Sequence, residues 1–534
     1  MSAADAEPAG AGAAGAGARR IGATAALLAG SVLLSRALGL VRDMVLSARV
    51  GAGPAADAYQ AAFQLPDLLN YFLAGGALSI AFVPLWTRAR AQRGEAAAAR
   101  LLQTVLGGLG LAVAAATLVL FALADELVAL QFPRFDPGQQ ALTARLTRIV
   151  LPAQLFFVCG GVVQAALMAQ GRFAAQAAAP LVYNLGIILG GLLLAPVLGV
   201  EGFAWGAFLG AAVGAFAIPL FDARGRLPLG VRVAPFDREF LGYLAVAAPL
   251  MAGVTILTVD EWYDRWFGQL GGEGTIAALA YARRLMQVPV AVVGQALATA
   301  ALPAFARLWS EGRHAELDGA VRRTLEAALG LGALGAAATW ALASPAVLLI
   351  YERGAFGPDD SARVAETLRV YALAVPAWIA QQVAVRPFYA RGDTWRPMLL
   401  GTAIAGAVIP LYVHLGARGA PGLAAAGAIA VSVNALATLV MARVLHGAPR
   451  LAPLALAALR AVAVGAVVAL AARAVQPGLP GARGALLDLA AGGAALALLG
   501  GAALLFAAGR PTRDAALSLL RRLRALRKGS DPSV

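Results

Sequence analysis

The sequence predicts an all-α integral membrane protein with about fourteen transmembrane helices. Two six-helix lobes are expected around a central cavity, followed by two further helices at the carboxyl end. Three observations predict this. Apolar stretches of about 20 residues, enough to cross a bilayer, follow one another from Ile21 to Ala508. Hydrophobic residues make up 60% of the 534 and charged residues only 13%, with a mean hydropathy of +0.74; an ordinary soluble domain is far more polar. Finally, the pattern A-L-x-x-A-x-[VL]-P-x-x-x-R occurs at Ala77–Arg88 and again at Ala296–Arg307. Both copies close a span, as expected of carriers built from two parallel halves.

Glycine, proline and clustered charges set the span limits. The first, 21–49, begins after Arg19-Arg20, and the second, 57–86, closes at Pro84 before Arg88. Span 99–123 stops before Asp125-Glu126, and 143–169 before Gly171-Arg172. Span 177–197 ends at Pro196 and Gly199, and 201–221 ends at Asp222. Span 239–269 lies between Arg238 and Gly271-Gly272, and 275–305 ends before Arg307. Span 325–350 runs from Arg322-Arg323 to Glu352-Arg353, and 364–390 from Arg363 to Arg391. Spans 397–416 and 420–442 are separated by Arg418, while 457–475 and 486–508 flank Pro477 and Arg483. Helices are required because a lipid-exposed backbone must satisfy its own hydrogen bonds.

The resulting units are a disordered cytoplasmic amino terminus (1–20), a first lobe (21–221), a cytoplasmic loop (222–238) and a second lobe (239–442). Two more spans (443–508) and a basic amphipathic tail (509–534) complete the chain. The first segment is low-complexity Ala, Gly and Pro. The tail interleaves Leu517, Leu520 and Leu523 with Arg521, Arg522 and Arg524, a pattern suited to an anionic membrane surface. With the amino terminus inside, 27 of the 43 Lys and Arg fall in inner segments and nine in outer ones. That asymmetry places both termini in the cytoplasm. It also accounts for the net charge of +14 without a nucleic-acid partner, since no continuous basic face forms.

No enzyme, metal or cofactor chemistry is legible. Cys159 stands alone, and His314, His414 and His446 are scattered without ligand spacing. Ionisable residues inside spans are the candidates instead, because their cost in a bilayer is tolerated at protein-lined cavities. Arg36, Arg42 and Asp43 lie in the first span, Asp260, Asp264 and Arg265 in the seventh, Arg283 and Arg284 in the eighth. Guanidinium binds phosphate oxygens bidentately, so Arg36, Arg42 and Arg284 suit a diphosphate. Asp260 and Asp264 could carry a coupling ion, though pairing with arginine explains them equally well.

The motif Ser35-Arg36-Ala37-Leu38-Gly39-Leu40-Val41-Arg42-Asp43 resembles the first helix of the MurJ/MviN-type lipid II flippases of the MOP superfamily. Asp57-Ala58-Tyr59, Phe63-Gln64-Leu65-Pro66, Arg284-Leu285 and Glu352-Arg353-Gly354-Ala355-Phe356 extend the resemblance in the same order. It implies transport of undecaprenyl-diphosphate-linked peptidoglycan precursor from the inner to the outer leaflet of the bacterial cytoplasmic membrane. It also implies functional roles for Arg36, Arg42, Asp43, Asp57 and Arg284. Lipid II or a related polyprenyl-diphosphate lipid is the implied partner, with membrane lipids and cell-wall synthesis proteins around it.

Three positions depart from that pattern. Asp67 and then Asn70-Tyr71 stand where the family has asparagine and then arginines, Gly75 replaces a glutamate, and Arg283 replaces a carboxylate or amide. Asn70 thus marks a missing cavity arginine, for which Arg283 is expected to substitute. The alternatives are a flippase for another polyprenyl-diphosphate glycan, a cation-coupled exporter, or a non-transporting scaffold in envelope synthesis.

Overall fold

A computed structural model describes residues 9–74, 77–251, 256–504 and 510–528. Every regular element among them is helical. In the first half these are α1 (Ala9–Val50), α2 (Pro54–Ala62), α3 (Gln64–Ala74), α4 (Ala77–Arg93), α5 (Glu95–Ala122) and α6 (Ala124–Gln131). They continue with α7 (Pro137–Val150), α8 (Ala153–Ala169), α9 (Ala174–Leu189), α10 (Ala195–Leu198), α11 (Glu201–Gly210) and α12 (Ile218–Ala223). Next come α13 (Arg238–Met251), α14 (Ile256–Gly268), α15 (Thr275–Pro289), α16 (Gln295–Ser310), α17 (His314–Ala341), α18 (Ala343–Tyr351) and α19 (Pro358–Ala384). The chain closes with α20 (Arg386–Ala390), α21 (Trp395–Ala407), α22 (Ile409–Gly416), α23 (Gly419–His446), α24 (Leu451–Ala474), α25 (Gly481–Ala502) and α26 (Arg510–Lys528).

Among the described residues, ten helices or helix runs are long and apolar enough to cross a membrane, and the bent pair α17–α18, kinked by 62°, makes an eleventh. Three expected spans are not among these. Span 57–86 turns at Phe63 between α2 and α3, and its described helices, like those of span 239–269 on either side of residues 252–255, are each shorter than 18 residues. The first lies within the 42-residue α1. That helix already runs from Ala9, inside the segment expected to be disordered. Residues 1–8 and Gly75 lie outside the described residues.

Structure reinforces the internal repeat. α5 and α17 have 28 residues each, and each leads through a short break into a short helix, α6 or α18. The motif prolines, Pro84 and Pro303, both sit inside helices, α4 and α16. Left-handed glycines recur at matching places: Gly51 with Gly272, Gly171 with Gly392, Gly199 with Gly419 and Gly225 with Gly447. Neighbours recur too, with α4 against α5 and α8, and α16 against α17 and α20.

Small residues let the helices approach closely. A Cβ on Gly206 of α11 would come within 2.5 Å of the Gly186 carbonyl oxygen on α9, so larger side chains would push these helices apart. α13 packs on α3, α4 and α5, whereas α14 packs on α15, α21 and α23. The described parts of this segment therefore pack on opposite halves of the chain. At the carboxyl end, α26 docks its start on α17, where the Thr512 hydroxyl donates to the Glu326 carbonyl at 3.3 Å.

Candidate functional site

α1, α9 and α15 enclose a cavity of 610 Å³ between the two halves. Three of the arginines singled out in the sequence line it: Arg36 and Arg42 from α1, and Arg284 from α15. Tyr183, Asn184 and Gln287 add polar edges, and Leu33, Leu40 and Val292 give it apolar walls. Arg36 is exposed and makes no ion pair among the described residues.

Asp43 organises the other two arginines. It is 5% exposed. Its Oδ1 accepts from Arg42 Nε at 2.9 Å, and its Oδ2 accepts from Arg284 Nε at 2.7 Å. Arg42 also donates to Asn184 Oδ1 at 3.3 Å. The Asn184 amide nitrogen in turn donates to the Pro180 carbonyl oxygen at 2.9 Å. One carboxylate thus fixes two guanidiniums, leaving a net positive charge on a surface open to the cavity. The side chain of Arg284 stays 43% exposed, so its remaining N–H groups can meet an anion.

The other candidates occupy different places. Asp57 lies outside the cavity lining and is 1% exposed. Its two oxygens accept from the backbone N–H groups of Gly274, at 2.6 Å, and Ala277, at 2.7 Å. It therefore caps the start of α15 from the opposite half of the chain, satisfying amides that a helix start leaves without partners. Further bonds close the same end of the cavity: Tyr281 Oη donates to the Gly51 carbonyl at 3.1 Å, and the Ala355 N–H to the Ala48 carbonyl at 2.9 Å.

Arg283 does not stand in for a cavity arginine opposite Asn70. It is 5% exposed and bonds both Asp260, at 2.5 Å, and Asp264. It also donates to Tyr371 Oη at 2.9 Å and packs on that ring. Two buried carboxylates explain this: without a guanidinium they would be left as uncompensated charge. Asn70 is half-buried on α3. Asp67, on the same helix, pairs with Arg265 at 2.6 Å, and Arg265 also takes Glu261 at 2.9 Å. The departure at Asp67 is thus matched by an arginine on α14. Asp43 and Asp264 stand at the same place in the two halves, each eight residues before a left-handed glycine, Gly51 or Gly272. Each pairs with one of two adjacent arginines on α15.

Sequence reasoning missed Asn184 and Gln287, although polar residues within apolar runs were a readable signal. It also missed Tyr371 and Tyr412, which only the fold brings to Asp264 and Asp260.

A family model described as lipid II flippase MurJ matches residues 46–481. The chain belongs to the MurJ family. The match includes Asp57, Asp264 and Arg284 and begins just after Arg36, Arg42 and Asp43. A probable lipid II flippase MurJ of Rhizobium tropici is 31% identical over 426 residues, covering 76% of this chain and 78% of that protein. The lipid II flippase MurJ of Burkholderia cenocepacia is 27% identical, covering 73% and 78%. The fold matches a lipid II flippase MurJ structure in an inward closed conformation with a TM-score of 0.74, at 20% identity, over 89% of this chain and 98% of that one. A multidrug-resistance MATE transporter of the MOP superfamily, facing inward, follows at a TM-score of 0.64 and 16% identity, over 77% and 94%. Membership of the MurJ family makes this a multi-pass inner-membrane transporter rather than an enzyme.

Proposed function

We propose that this protein flips lipid II, the undecaprenyl-diphosphate-linked peptidoglycan precursor, from the inner to the outer leaflet by alternating access. One observation carries the reading beyond family membership: Arg36, Arg42 and Arg284 line one cavity between the halves of the chain. A diphosphate offers oxygens to several guanidiniums at once, and bidentate arginine contacts hold such groups better than a point charge does. Because Arg42 belongs to α1 and Arg284 to α15, a bound diphosphate draws the halves together around the headgroup.

The architecture that serves this reading has fourteen spans. The eleven long or bent apolar helices are joined by α1, by α2–α4 and by α13–α14 as three further crossings. Residues 21–221 form one lobe and 239–442 the other, with α13 reaching across to pack on the first, α24 and α25 outside them and both termini cytoplasmic. The end closed by Asp57 and the turns at Gly51 and Gly272 then faces the outside, and the cavity opens inward. The basic tail α26 rests on the inner leaflet. Rescue of a bacterium conditionally depleted of its lipid II flippase tests the assignment. Growth and normal cell shape on expression of this chain support it; a stable, membrane-inserted protein that gives no rescue points to another polyprenyl-diphosphate glycan.

A further inference from the structure

An apolar groove of about 340 Å³ runs along α17, α19 and α24 and shares no lining residue with the arginine cavity. Trp340 of α17, Leu373 and Pro376 of α19, and Ala466 and Leu470 of α24 line it. Leu373 and Leu470 are 70% and 61% exposed, so the groove opens sideways, toward the lipid.

One turn beyond these walls the helices turn polar. Arg369 precedes Leu373 by four residues on α19, Arg473 follows Leu470 by three on α24, and Ser344 follows Trp340 by four across the bend into α18. Residues three or four apart share a helix face, so the two arginines stand together at one end of the groove. It is the end where α18 leads to Ala355 and its bond with Ala48. The half-buried Arg369 donates to Ser344 Oγ at 2.6 Å and lies within reach of the Arg473 charge. Arg473 donates to Gln476 Oε1 at 2.6 Å, and Gln476 Nε2 in turn donates to the Ala341 carbonyl at 2.9 Å.

Neither guanidinium has an ion pair among the described residues. Glu366, three residues before Arg369, is exposed and lines the separate cleft beside Arg363 and Arg418. Asp488 of α25 is 7% exposed and accepts from the Gly478 N–H at 2.8 Å. Two neighbouring guanidiniums without a carboxylate repel each other, and in a membrane protein an anion relieves that cost. A single phosphate accepts hydrogen bonds from both forks. A zwitterionic headgroup would bring a further cation to the pair, whereas a headgroup of net negative charge does not.

We propose that this groove holds an anionic phospholipid of the surrounding bilayer, with its phosphate between Arg369 and Arg473 and an acyl chain against Trp340 and Ala466. Tryptophan suits that depth, where headgroups meet hydrocarbon. The lipid bridges α24, which stands outside the two lobes, to α17 and α19 of the second. It is separate from the cargo, whose arginines belong to another cavity. The topology proposed above supplies only the leaflet, the outer one; binding itself depends neither on that topology nor on which lipid is flipped.

Photolabelling of the full-length protein in phosphatidylcholine nanodiscs tests this. Phosphatidylglycerol carrying a diazirine in an acyl chain should label wild-type peptides around Trp340, Leu373 and Ala466. Unlabelled phosphatidylglycerol should compete roughly tenfold better than phosphatidylethanolamine. Replacing both guanidiniums, in Arg369→Gln/Arg473→Gln, should lower the labelling roughly tenfold or more. Arg134→Gln, in a loop of the first half, should leave it unchanged. Ala466→Phe, which fills the groove without altering charge, should lower it as well. Labelling spread evenly over the lipid-facing helices, equal competition by phosphatidylethanolamine, or full labelling in the folded double variant or in Ala466→Phe would overturn the site. Displacement of the label by an equal amount of a polyprenyl diphosphate would also overturn it, by making the groove part of the cargo path. The competition needs no substitution, so it decides the matter even where a variant does not fold. A chain that keeps this labelling yet fails to rescue a flippase-depleted bacterium separates the lipid site from the transport assignment.

Discussion

Asp43 and Arg284 meet at 2.7 Å, although 241 residues separate them in the chain. The bond ties α1 to α15, and Arg42 leans on the same carboxylate at 2.9 Å. Asp43 therefore sets how far apart two cavity guanidiniums stand and keeps both pointed at the same space.

A double-mutant cycle measures that tie. Asp43→Asn and Arg284→Gln are expected to couple by about 1–3 kcal/mol in the thermal stability of the purified protein, as contacting charged groups do. Arg36→Gln, which breaks no ion pair, should show no coupling to Asp43→Asn. Strictly additive effects of Asp43→Asn and Arg284→Gln would mean that the pair does not join the halves.

Asp57 should act as a latch on the closed end. Asp57→Ala removes two acceptors from the start of α15, a loss of about 1–2 kcal/mol for a helix cap. A cysteine introduced at Gln60, in a background with Cys159→Ala, should then react with a membrane-impermeant maleimide added outside several-fold faster than with Asp57 intact. An unchanged labelling rate would show that Asp57 does not hold this end shut.

Backbone contact seals the same end. Gly354 has a φ of 60°, and a Cβ there would lie 2.2 Å from the Ala48 carbonyl oxygen. Gly354→Ala should raise the same labelling rate and reduce flipping. Gly406→Ala, on α21 with nothing within 4 Å of the added carbon, should do neither. Equal behaviour of the two variants would rule out this contact as part of the closure.

The chain's orientation is open to a direct check. Reporter fusions after Arg93 and after Ser530 should both show cytoplasmic activity, as the placement of basic residues requires. Periplasmic activity at either position would reverse or break the fourteen-span topology.

Much of the fold was legible because a bilayer demands long apolar helices, and charges inside them stand out against that background. Arg36, Arg42, Asp43 and Arg284 were recognisable for this reason, and the structure brings all four together. The repeat was readable from Pro84 and Pro303. What stayed hidden depended on contacts across hundreds of residues. Nothing local distinguishes Arg283, which turns into a buried cluster, from Arg284, which faces the cavity; neighbouring residues on a helix point about 100° apart. Asp57 reads as an in-span charge, yet its partners are backbone amides of residues 274 and 277, which no side-chain pattern announces. Tyr371 and Tyr412 sit in ordinary apolar runs and acquire their roles only where α19 and α22 meet α14. The turn at Phe63 between α2 and α3 was equally silent, because an apolar run looks the same whether it forms one helix or two.

The most direct test of the arginine cavity is binding of a polyprenyl-diphosphate lipid to purified, folded protein carrying Arg36→Ala, Arg42→Ala or Arg284→Ala. A charge-assisted hydrogen bond contributes about 1.5–3 kcal/mol, so each variant should bind roughly ten- to a hundredfold more weakly. Lysine at Arg42 or Arg284 should restore only part of the affinity, since it keeps the charge and loses the planar fork. Unchanged affinity in all three alanine variants would contradict the account and leave these arginines as packing elements.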